Sequence, residues 1–392
     1  MTPGARVAAA IEVLDRVIAG APAEQALIQW ARASRFAGSG DRTAVRDLVF
    51  DSLRRLHSRA ALGGGLTGRG VMIGRCREEG IDPDTVFTGL GHAPPPLDDA
   101  ERAAPPPGDA AGDAVEDAAG LDVPGWLVPA LQSALGDDYT PVMAAMRERA
   151  PVWLRINPKR AAPDLTDALA DAGIQTRPVS GLPQALQVVQ GERGIARSTP
   201  FLSGQVELQD LSSQIAAAAL PVQAGDRVLD YCAGGGGKTL AMAAVTDAHF
   251  DAHDVTPSRM ADLPARAARA GARVRILQPG KAEGPYDLVV VDAPCSGSGT
   301  WRRTPDAKWR LTPDRLAGIT ALQAEILDRA QALVRPGGHL AYLTCSLLGA
   351  ENDAQIDAFL KRFPGFTVEH RQLLTPLDAS DGFFYAVMRK NG

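Results

Sequence analysis

The chain has 392 residues, 45% of them hydrophobic, which is long enough for two or three globular domains, while its net charge of −5 by itself argues against a nucleic-acid partner. Four scattered cysteines without Cys-x-x-Cys spacing exclude a disulfide framework and a cysteine zinc site, and they are typical of a reducing cytoplasm. The sequence has neither an apolar signal core at its N-terminus nor an 18-residue apolar span, so we expect a cytoplasmic protein that does not enter a membrane.

The first part of the chain has the periodicity of amphipathic helices. Apolar residues recur at helical spacing from Val7 to Ile18 and from Val45 to Leu53, so we predict helices over residues 1–60, within a domain that ends at residue 92. Five arginines punctuate the second stretch, and their pattern fits either a phosphate-facing stripe or a solvated helix face: Arg42, Arg46, Arg54, Arg55 and Arg59.

Residues 93–122 concentrate the negative charge of the chain. They carry eight acidic side chains and one arginine, a net charge of −7, so the rest of the chain has a net charge of +2. The net charge of the whole chain therefore does not exclude RNA as a partner. Prolines 94–96 and 105–107, with abundant alanine and glycine, predict a mobile linker with room for one short helix.

Two regions follow this linker. Residues 123–200 contain a strand-like run over Val152–Asn157 and a helical stretch over Leu165–Ala172, which predict a small α/β module. Residues 201–392 alternate strand-like and helical runs, which predicts a doubly wound, largely parallel sheet. The clearest strands are Arg227–Asp230, Val274–Leu277, Leu288–Val291 and Leu340–Leu343, the helices include Thr256–Ala270 and Pro313–Val334, and Phe383–Met388 is expected to pair antiparallel at an edge.

The first of these strands runs into a glycine loop, Tyr231-Cys-Ala-Gly-Gly-Gly-Gly-Lys238. Four consecutive glycines allow the backbone to approach a nucleotide-like cofactor, but Ala233 stands where a phosphate-binding P-loop needs glycine. Asp254 follows a second strand-like run, where an acid either grips ribose hydroxyls or caps the helix near Pro257. Since no phosphate-neutralising cluster lies nearby, S-adenosylmethionine fits better than NAD.

Two cysteines each follow a strand-like run, Cys295 in Asp292-Ala-Pro-Cys and Cys345 in Thr344-Cys-Ser. The pair suggests covalent pyrimidine chemistry, in which a thiolate adds to an electron-poor ring and a second thiol helps to release the product. The alternative is that each is a small buried hydrophobe, and this is our interpretation of Cys76 and of the Cys232 side chain.

Four blocks resemble the Sun/RsmB family of RNA 5-methylcytosine methyltransferases, in their order and in their spacing. They are Gln209–Gln214, Asp230–Thr239, Asp292–Trp309 and Arg335–Asn352, of which the third, with its Pro-Cys turn and Arg-Arg-x-Pro-Asp tail, is the most diagnostic. The helical N-terminus is similar to the NusB-like RNA-binding domain of some members, including Gly38–Arg42. The resemblance implies an α/β fold: a Rossmann-like class I S-adenosylmethionine-dependent methyltransferase domain (201–392), preceded by a small α/β RNA-binding module (123–200) and an all-helical NusB-like domain (1–92).

The resemblance also implies roles for individual residues. Cys345 would attack carbon 6 of the cytosine, Cys295 would assist proton removal from carbon 5 and release, and Asp292 and Lys238 would hold and polarise the base. The residues implied for cofactor binding are Cys232, Ala233, Gly234, Gly235, Gly236, Gly237, Lys238, Asp254, Arg259, Gln278 and Asp292. Those expected to bind RNA are Arg302, Arg303, Lys308 and Arg310, interleaved with Trp301 and Trp309, together with Arg42 and Arg46; the alternative for residues 301–310 is a solvated loop.

The chain departs from the family pattern at two places. Gly234 and Gly235 replace the usual Ala-Pro pair of the loop, and Gln278 stands near the position where an acid is expected to contact adenine. We therefore predict a monomeric, metal-free enzyme that methylates cytosine carbon 5 in single-stranded or loop RNA, with ribosomal RNA favoured by the NusB-like extension. The alternatives are transfer RNA as the substrate, a ribosome-assembly factor that binds RNA without turnover, and DNA-type chemistry with Cys295 as the nucleophile, which the second cysteine disfavours.

Overall fold

The computed structural model of the protein describes residues 1–103 and 120–392, so that most of the predicted linker lies outside the described residues. The chain forms two compact units. The first unit contains Met1–Arg149 together with Thr300–Thr312, and the second contains Ala150–Gly299 together with Pro313–Gly392. In the described residues, no helix is both long and apolar enough to cross a membrane.

The first unit is helical, which confirms the prediction for the N-terminal part. Thr2 caps the first helix by accepting a hydrogen bond from the Ala5 N–H, and Pro3 stands at the first helical position, where its missing N–H costs nothing. The apolar faces expected from the periodicity form one core, in which Val13, Leu14 and Leu53 are fully buried. Its main helices are Pro3–Ile18, Ala23–Ala33, Ser39–Arg54, Leu56–Gly63, Gly68–Glu78, Val128–Leu135 and Tyr139–Met146.

The described ends of the predicted linker belong to this first unit. Asp98 and Glu101 form a capping box on the short helix Asp99–Arg102, and Leu97 is buried in the helical core. At the other end, the buried carboxylate of Asp122 accepts hydrogen bonds from the backbone N–H groups of His57 and Ser58, at 2.8 and 3.0 Å. These N–H groups begin the Leu56–Gly63 helix, where a negative charge is stabilising. Leu97 and Asp122 are therefore fixed, although both lie inside the range predicted to be mobile.

Residues 300–312 belong to the helical unit, although the chain on both sides of them belongs to the other unit. The Trp309 indole Nε1–H donates to the Leu53 carbonyl at 2.8 Å, and its ring lies 4.2 Å from the His57 ring. Arg54 Nε donates to the Arg302 carbonyl at 2.6 Å. This segment, which includes the helix Pro305–Trp309, is a packed part of the first unit rather than the solvated loop considered as an alternative.

The second unit contains a small antiparallel sheet in the order β2-β3-β1-β4, built on a core that includes Leu154, Leu169 and Val206. Its strands are β1 Val152–Ile156, β2 Gln175–Pro178, β3 Ala185–Gln190 and β4 Val206–Leu208, and the helix Leu165–Asp171 connects β1 to β2. This arrangement confirms a small α/β module, while its predicted bounds, residues 123–200, stay a prediction.

The larger sheet has seven strands in the order β10-β11-β9-β8-β5-β6-β7, with β5 to β9 parallel, which confirms the Rossmann-like prediction. The central strand β8 is buried on both faces, as parallel strands between helical layers require. These strands are β5 Arg227–Asp230, β6 His249–Ala252, β7 Val274–Ile276, β8 Tyr286–Asp292, β9 Val334–Thr344, β10 Phe366–Leu374 and β11 Phe383–Lys390. The helices that pack on it include Gly237–Val245, Leu263–Ala270, Pro313–Ala330 and Asp353–Arg362.

One strand position differs from the prediction. The run that begins at Phe383 is antiparallel, as expected, but β11 lies between β9 and β10 and not at an edge. The strand at this edge of the sheet is β10, which sequence reasoning missed because most of its side chains are polar and exposed. The neighbouring order β9-β8-β5 brings the carboxyl ends of three parallel strands together, which is where ligands bind in sheets of this kind.

Candidate active site

The structure brings the two predicted catalytic cysteines into contact. Cys345 immediately follows β9 and Cys295 lies three residues beyond β8, and these two strands are parallel neighbours with Asp292 opposite Leu343. The two Sγ atoms are 3.3 Å apart, and both thiols are half-buried. A hydrogen bond from Cys295 lowers the pKa of Cys345, while the same bond and burial raise the pKa of Cys295. Cys345 is therefore the thiol that ionises first, as a nucleophile must.

Lys238 and Asp292 form an ion pair beside these thiols. Lys238 lies in the first turn of the Gly237–Val245 helix, and its Nζ donates to Asp292 Oδ2 at 2.6 Å. Burial lowers the pKa of Lys238, but the adjacent carboxylate outweighs burial, so that the pKa is raised and the amine stays charged. The Phe383 ring centroid lies 4.9 Å from Nζ and adds a cation–π contact. The charge of Lys238 also lowers the pKa of Cys345, whereas that of Asp292 raises it.

The glycine loop connects β5 to the Gly237–Val245 helix and needs glycine at two positions. Gly234 and Gly236 have φ of +50° and +77°, the left-handed region that proline cannot enter and that other side chains rarely adopt. A Cβ on Gly236 would also meet the Leu263 side chain at 2.2 Å. Of the two departures from the family pattern, Gly234, which replaces alanine, is matched by its positive φ, whereas Gly235, which replaces proline, does not have a positive φ.

Asp254 holds this loop from the end of β6. It is 1% exposed, and its two carboxylate oxygens accept from the backbone N–H groups of Gly234 at 3.0 Å and Thr256 at 2.8 Å. Arg259, which is exposed, lies 3.4 Å from it. The bond to Thr256 forms an Asx turn, and Thr256 is the N-cap residue of the short helix Pro257–Met260, so Asp254 does not cap this helix. Ribose binding by Asp254 stays a prediction.

Two residues that sequence reasoning missed complete the surroundings of the loop. His253 stacks on Tyr231 at 4.8 Å, its Nδ1 donates to the Tyr231 carbonyl, and its Nε2 accepts from the Gly280 N–H, which fixes the neutral tautomer. Asp230 ends β5, is 1% exposed and accepts a hydrogen bond from Thr239 through Oδ2, while burial raises its pKa to about 6. Among the described residues, the other oxygen, Oδ1, has no hydrogen-bond partner. The sequence signal that could have identified Asp230 as a site residue is its position at the end of a strand that runs into the glycine loop.

The residues predicted to bind RNA are not gathered on one exposed surface. Lys308 is 4% exposed and its Nζ donates to the Arg54 carbonyl, while Arg302 is also buried within the first unit. Arg310 binds Asp306 at 2.9 Å, and Arg303 is half-exposed. On the Ser39–Arg54 helix, Arg46 pairs with Glu24 at 2.8 Å, and Arg42 is exposed while its Nε donates to the Ala37 carbonyl.

The burial of Lys308 predicts a pH-dependent stability. Burial lowers its pKa to about 8, so between pH 8 and the ordinary lysine value the unfolded chain binds more protons than the folded one, and the folded state gains stability as the pH rises. We expect Lys308→Met to be more stable than wild type at pH 7, and this advantage to shrink by about 2 kcal/mol towards pH 10. Urea unfolding at the two pH values measures the difference, and an advantage of equal size at both would contradict the prediction.

Comparison with known proteins identifies relatives of this chain. A family profile described as "16S rRNA methyltransferase RsmB/F" matches residues 217–389, and a second, described as "Methyltr_RsmF/B-like, ferredoxin-like domain", matches residues 123–193. Ribosomal RNA small subunit methyltransferase B of Salmonella arizonae is 36% identical over 285 residues, which are 68% of this chain and 66% of that relative. The chain belongs to the RsmB/F family. The Salmonella newport protein of the same name is 35% identical over 284 residues, again spanning 66% of its length.

Solved structures agree with this RsmB/F fold. The structure of PH0851 covers 100% of this chain and 99% of its own, with a TM-score of 0.78 and 23% identity. A methyltransferase homolog from Pyrococcus horikoshii covers 71% of this chain and 99% of its own, with a TM-score of 0.62 and 24% identity. The resemblance found in the four sequence blocks is confirmed, and the methyl donor of this family is S-adenosylmethionine.

The loop of this RsmB/F chain fits that cofactor. The unpartnered Asp230 Oδ1 is a buried acceptor at the start of the loop, suited to a ligand ammonium, and a glycine backbone allows a ligand to approach it closely. Binding of S-adenosylmethionine by Asp230, residues 232–237 and Asp254, and of its adenine end by Gln278, which is exposed after β7, stays a prediction. In the described residues, no cluster of three or more acidic, histidine or cysteine side chains could hold a metal ion.

Proposed function

We propose that this protein methylates carbon 5 of cytosine in RNA, with ribosomal RNA as the substrate, through a covalent bond between Cys345 and the base. The observation that carries the proposal is the contact between two thiols, 3.3 Å apart, beside the Lys238–Asp292 ion pair. The family and the names of its relatives, which are ribosomal RNA methyltransferases, support the RNA class.

The reaction begins with the thiol that ionises first. The Cys345 thiolate adds to carbon 6 of cytosine, which makes carbon 5 nucleophilic and moves negative charge into the ring. Lys238 lies where its cation can offset that charge, and the Asp292 carboxylate can accept a hydrogen bond from the amino edge of the base. S-adenosylmethionine, when bound, supplies an electrophilic methyl group.

Release of the product requires the second thiol. After methylation, carbon 5 carries both a methyl group and a proton, and Cys295 assists the removal of that proton. The electron pair of the broken C–H bond re-forms the ring double bond, and the Cys345 thiolate leaves carbon 6. The contact with Cys345 is the main cause of the raised pKa of Cys295, and it ends when Cys345 bonds to carbon 6. Cys295 can then lose its proton to water and accept the carbon-5 proton as a thiolate.

The chemistry also limits the form of the substrate. The attacked atoms of cytosine are reached from above and below the ring, so the base must leave its stack, which favours single-stranded or loop RNA. Of the predicted RNA-binding side chains, we retain Arg42, Arg46, Arg303 and Arg310, and we leave out Arg302 and Lys308 because both are buried. We expect the protein to act in the cytoplasm as a monomer.

Trapping of the covalent intermediate tests this function. Cys295→Ala removes the thiol that assists release, so we expect this variant to accumulate a protein–RNA adduct when it is incubated with S-adenosylmethionine and unmodified small-subunit ribosomal RNA. A denaturing gel detects the adduct, and methylated-cytosine mapping of the wild-type product locates the base.

The matched control for this assay is Cys76→Ala, which removes a cysteine buried in the helical core and should behave as wild type. Methylation of transfer RNA transcripts in place of ribosomal RNA would change the proposed substrate. A wild-type protein that binds RNA but methylates neither would favour the assembly factor.

A further inference from the structure

The carboxylate of Glu351 lies between the two loops that carry the thiols. Glu351 is fully buried and ends a short 3-10 helix, Gly349–Glu351, that follows β9. Its Oε1 accepts from the Ser296 backbone N–H at 2.7 Å and from Gln323 Nε2 at 3.1 Å, and its Oε2 accepts from the hydroxyl groups of Ser296 and Ser346. One side chain thus accepts four hydrogen bonds.

Each of the two loops that donate hydrogen bonds to Glu351 carries one of the two cysteines. Ser296 directly follows Cys295, and Ser346 directly follows Cys345, so that the same carboxylate restrains the chain next to both sulfur atoms. Gln323, from the Pro313–Ala330 helix, also donates to the Pro294 carbonyl at 3.0 Å. A third serine extends the connection, because Ser298 Oγ lies 2.9 Å from Ser346 Oγ and accepts from the Leu347 N–H.

We propose that Glu351 is a positioning residue, whose carboxylate fixes both loops and thereby keeps Cys295 and Cys345 in contact. The proposal concerns the site of the proposed function and rests on that function only for its effect on turnover. Without the carboxylate, buried donors on both loops lose their acceptor, and a loop with unsatisfied buried donors rearranges to find others.

The charge of Glu351 has a separate effect. Its negative charge raises the pKa of Cys295 and of Cys345. The other charged groups that act on Cys345 are Asp292, which also raises its pKa, and Lys238, which lowers it. Position and charge are therefore two functions of one side chain, and a pair of substitutions separates them.

Glu351→Gln keeps the position and removes the charge. The amide oxygen can still accept from Ser296 N–H and Gln323, and the amide NH2 can donate to the two serine hydroxyls, which rotate to accept. Glu351→Ala removes both. The control is Glu325→Gln, which removes an exposed carboxylate from the Pro313–Ala330 helix that carries Gln323.

Oxidation by diamide measures thiol contact without RNA or cofactor. Two thiols lose two hydrogen atoms to the diamide N=N bond, which is reduced to a hydrazine, and a Cys295–Cys345 disulfide forms. Peptide mapping under non-reducing conditions gives its rate. We expect wild type and Glu325→Gln to react alike, and Glu351→Gln to react no more slowly, because its Cys345 ionises more readily. Glu351→Ala, which lacks the same charge, should react about tenfold more slowly than Glu351→Gln because its thiols are no longer held together. An unchanged rate in folded Glu351→Ala would overturn the proposal.

Two further measurements extend the test, and the first of them, on Glu351→Gln, stays decisive if Glu351→Ala does not fold. In Glu351→Gln, alkylation of Cys345 by iodoacetamide should move to lower pH, because the thiolate no longer faces this negative charge. In methylation assays, Glu351→Ala should lower kcat by about 100-fold with little change in KM for RNA, and Glu351→Gln should restore most of kcat. A Glu351→Gln protein with a slower disulfide rate and an unshifted alkylation profile would overturn the proposal.

The outcomes also separate this inference from the proposed function. If wild type does not methylate RNA but Glu351→Ala still loses the disulfide rate, the proposed function fails and the positioning role stands. If methylation proceeds and Glu351→Ala keeps both its disulfide rate and its kcat, the positioning role fails alone.

Discussion

Cys345→Ala is expected to abolish methylation and to form no protein–RNA adduct. The substitution removes the only thiol of the pair whose pKa is lowered, and without a nucleophile at carbon 6, carbon 5 of cytosine does not become reactive. Activity should fall by a factor on the order of 10⁴ or more, since loss of a covalent nucleophile is among the largest single-residue effects in enzymes. Methylation rates and denaturing gels measure both results.

Binding measurements guard against a trivial explanation of that loss. Cys345→Ala should still bind S-adenosylmethionine in equilibrium dialysis, because the glycine loop and Asp230 lie on other segments, and Cys76→Ala should keep wild-type activity. The reverse pattern, an adduct with Cys345→Ala and none with Cys295→Ala, would exchange the roles of the two thiols and favour the DNA-type mechanism.

Lys238→Met should give the second largest effect. The cation is placed to offset the charge that addition creates, and loss of such a group costs about 10²- to 10³-fold in kcat. The charge of Lys238 also lowers the pKa of Cys345, so its removal should move the acid limb of the pH–rate profile to higher pH. The profile of kcat/KM against pH measures this shift.

Asp292→Asn should shift that profile in the opposite direction. The Asp292 charge raises the pKa of Cys345, so its removal should move the acid limb to lower pH while kcat still falls through the lost contact with the base. The matched lysine control is Lys159→Met, whose ammonium pairs with the exposed Asp247 at 2.7 Å. An unshifted profile in Lys238→Met and Asp292→Asn would contradict the proposed electrostatics.

Much of this architecture could be predicted because it follows from local patterns. Periodicity identified the helices, and continuous apolar runs identified β5, β8 and β9. Because these strands are neighbours in the sheet, Cys295 and Cys345 lie together beyond their carboxyl ends. The polar strand β10 gave no such signal, since it pairs along one side only. The contacts of Glu351 and His253 could not be predicted either, because they depend on how loops pack against each other and not on the spacing of residues in the sequence.

The segment at residues 300–312 illustrates a different limit. Its arginines and tryptophans fitted an RNA-facing loop, since composition alone does not distinguish a charged surface from a charged contact inside a folded unit. Lys308 is buried and the Trp309 indole donates to the Leu53 carbonyl, so both side chains contact the helical unit, while RNA binding by Arg303 and Arg310 stays a proposal.

The discontinuity of the first unit has a consequence for synthesis on the ribosome. Residues 1–149 leave the exit tunnel long before Thr300–Thr312, yet Ala23, Leu53 and Arg54 make hydrogen bonds with this late segment. The helical unit therefore cannot complete its contacts until about 150 more residues have been translated. Until then, the backbone groups of Ala23, Leu53 and Arg54 that bind the late segment stay exposed to water. Ribosome-stalled chains ending before and after Thr312 should differ in their resistance to protease within residues 1–149.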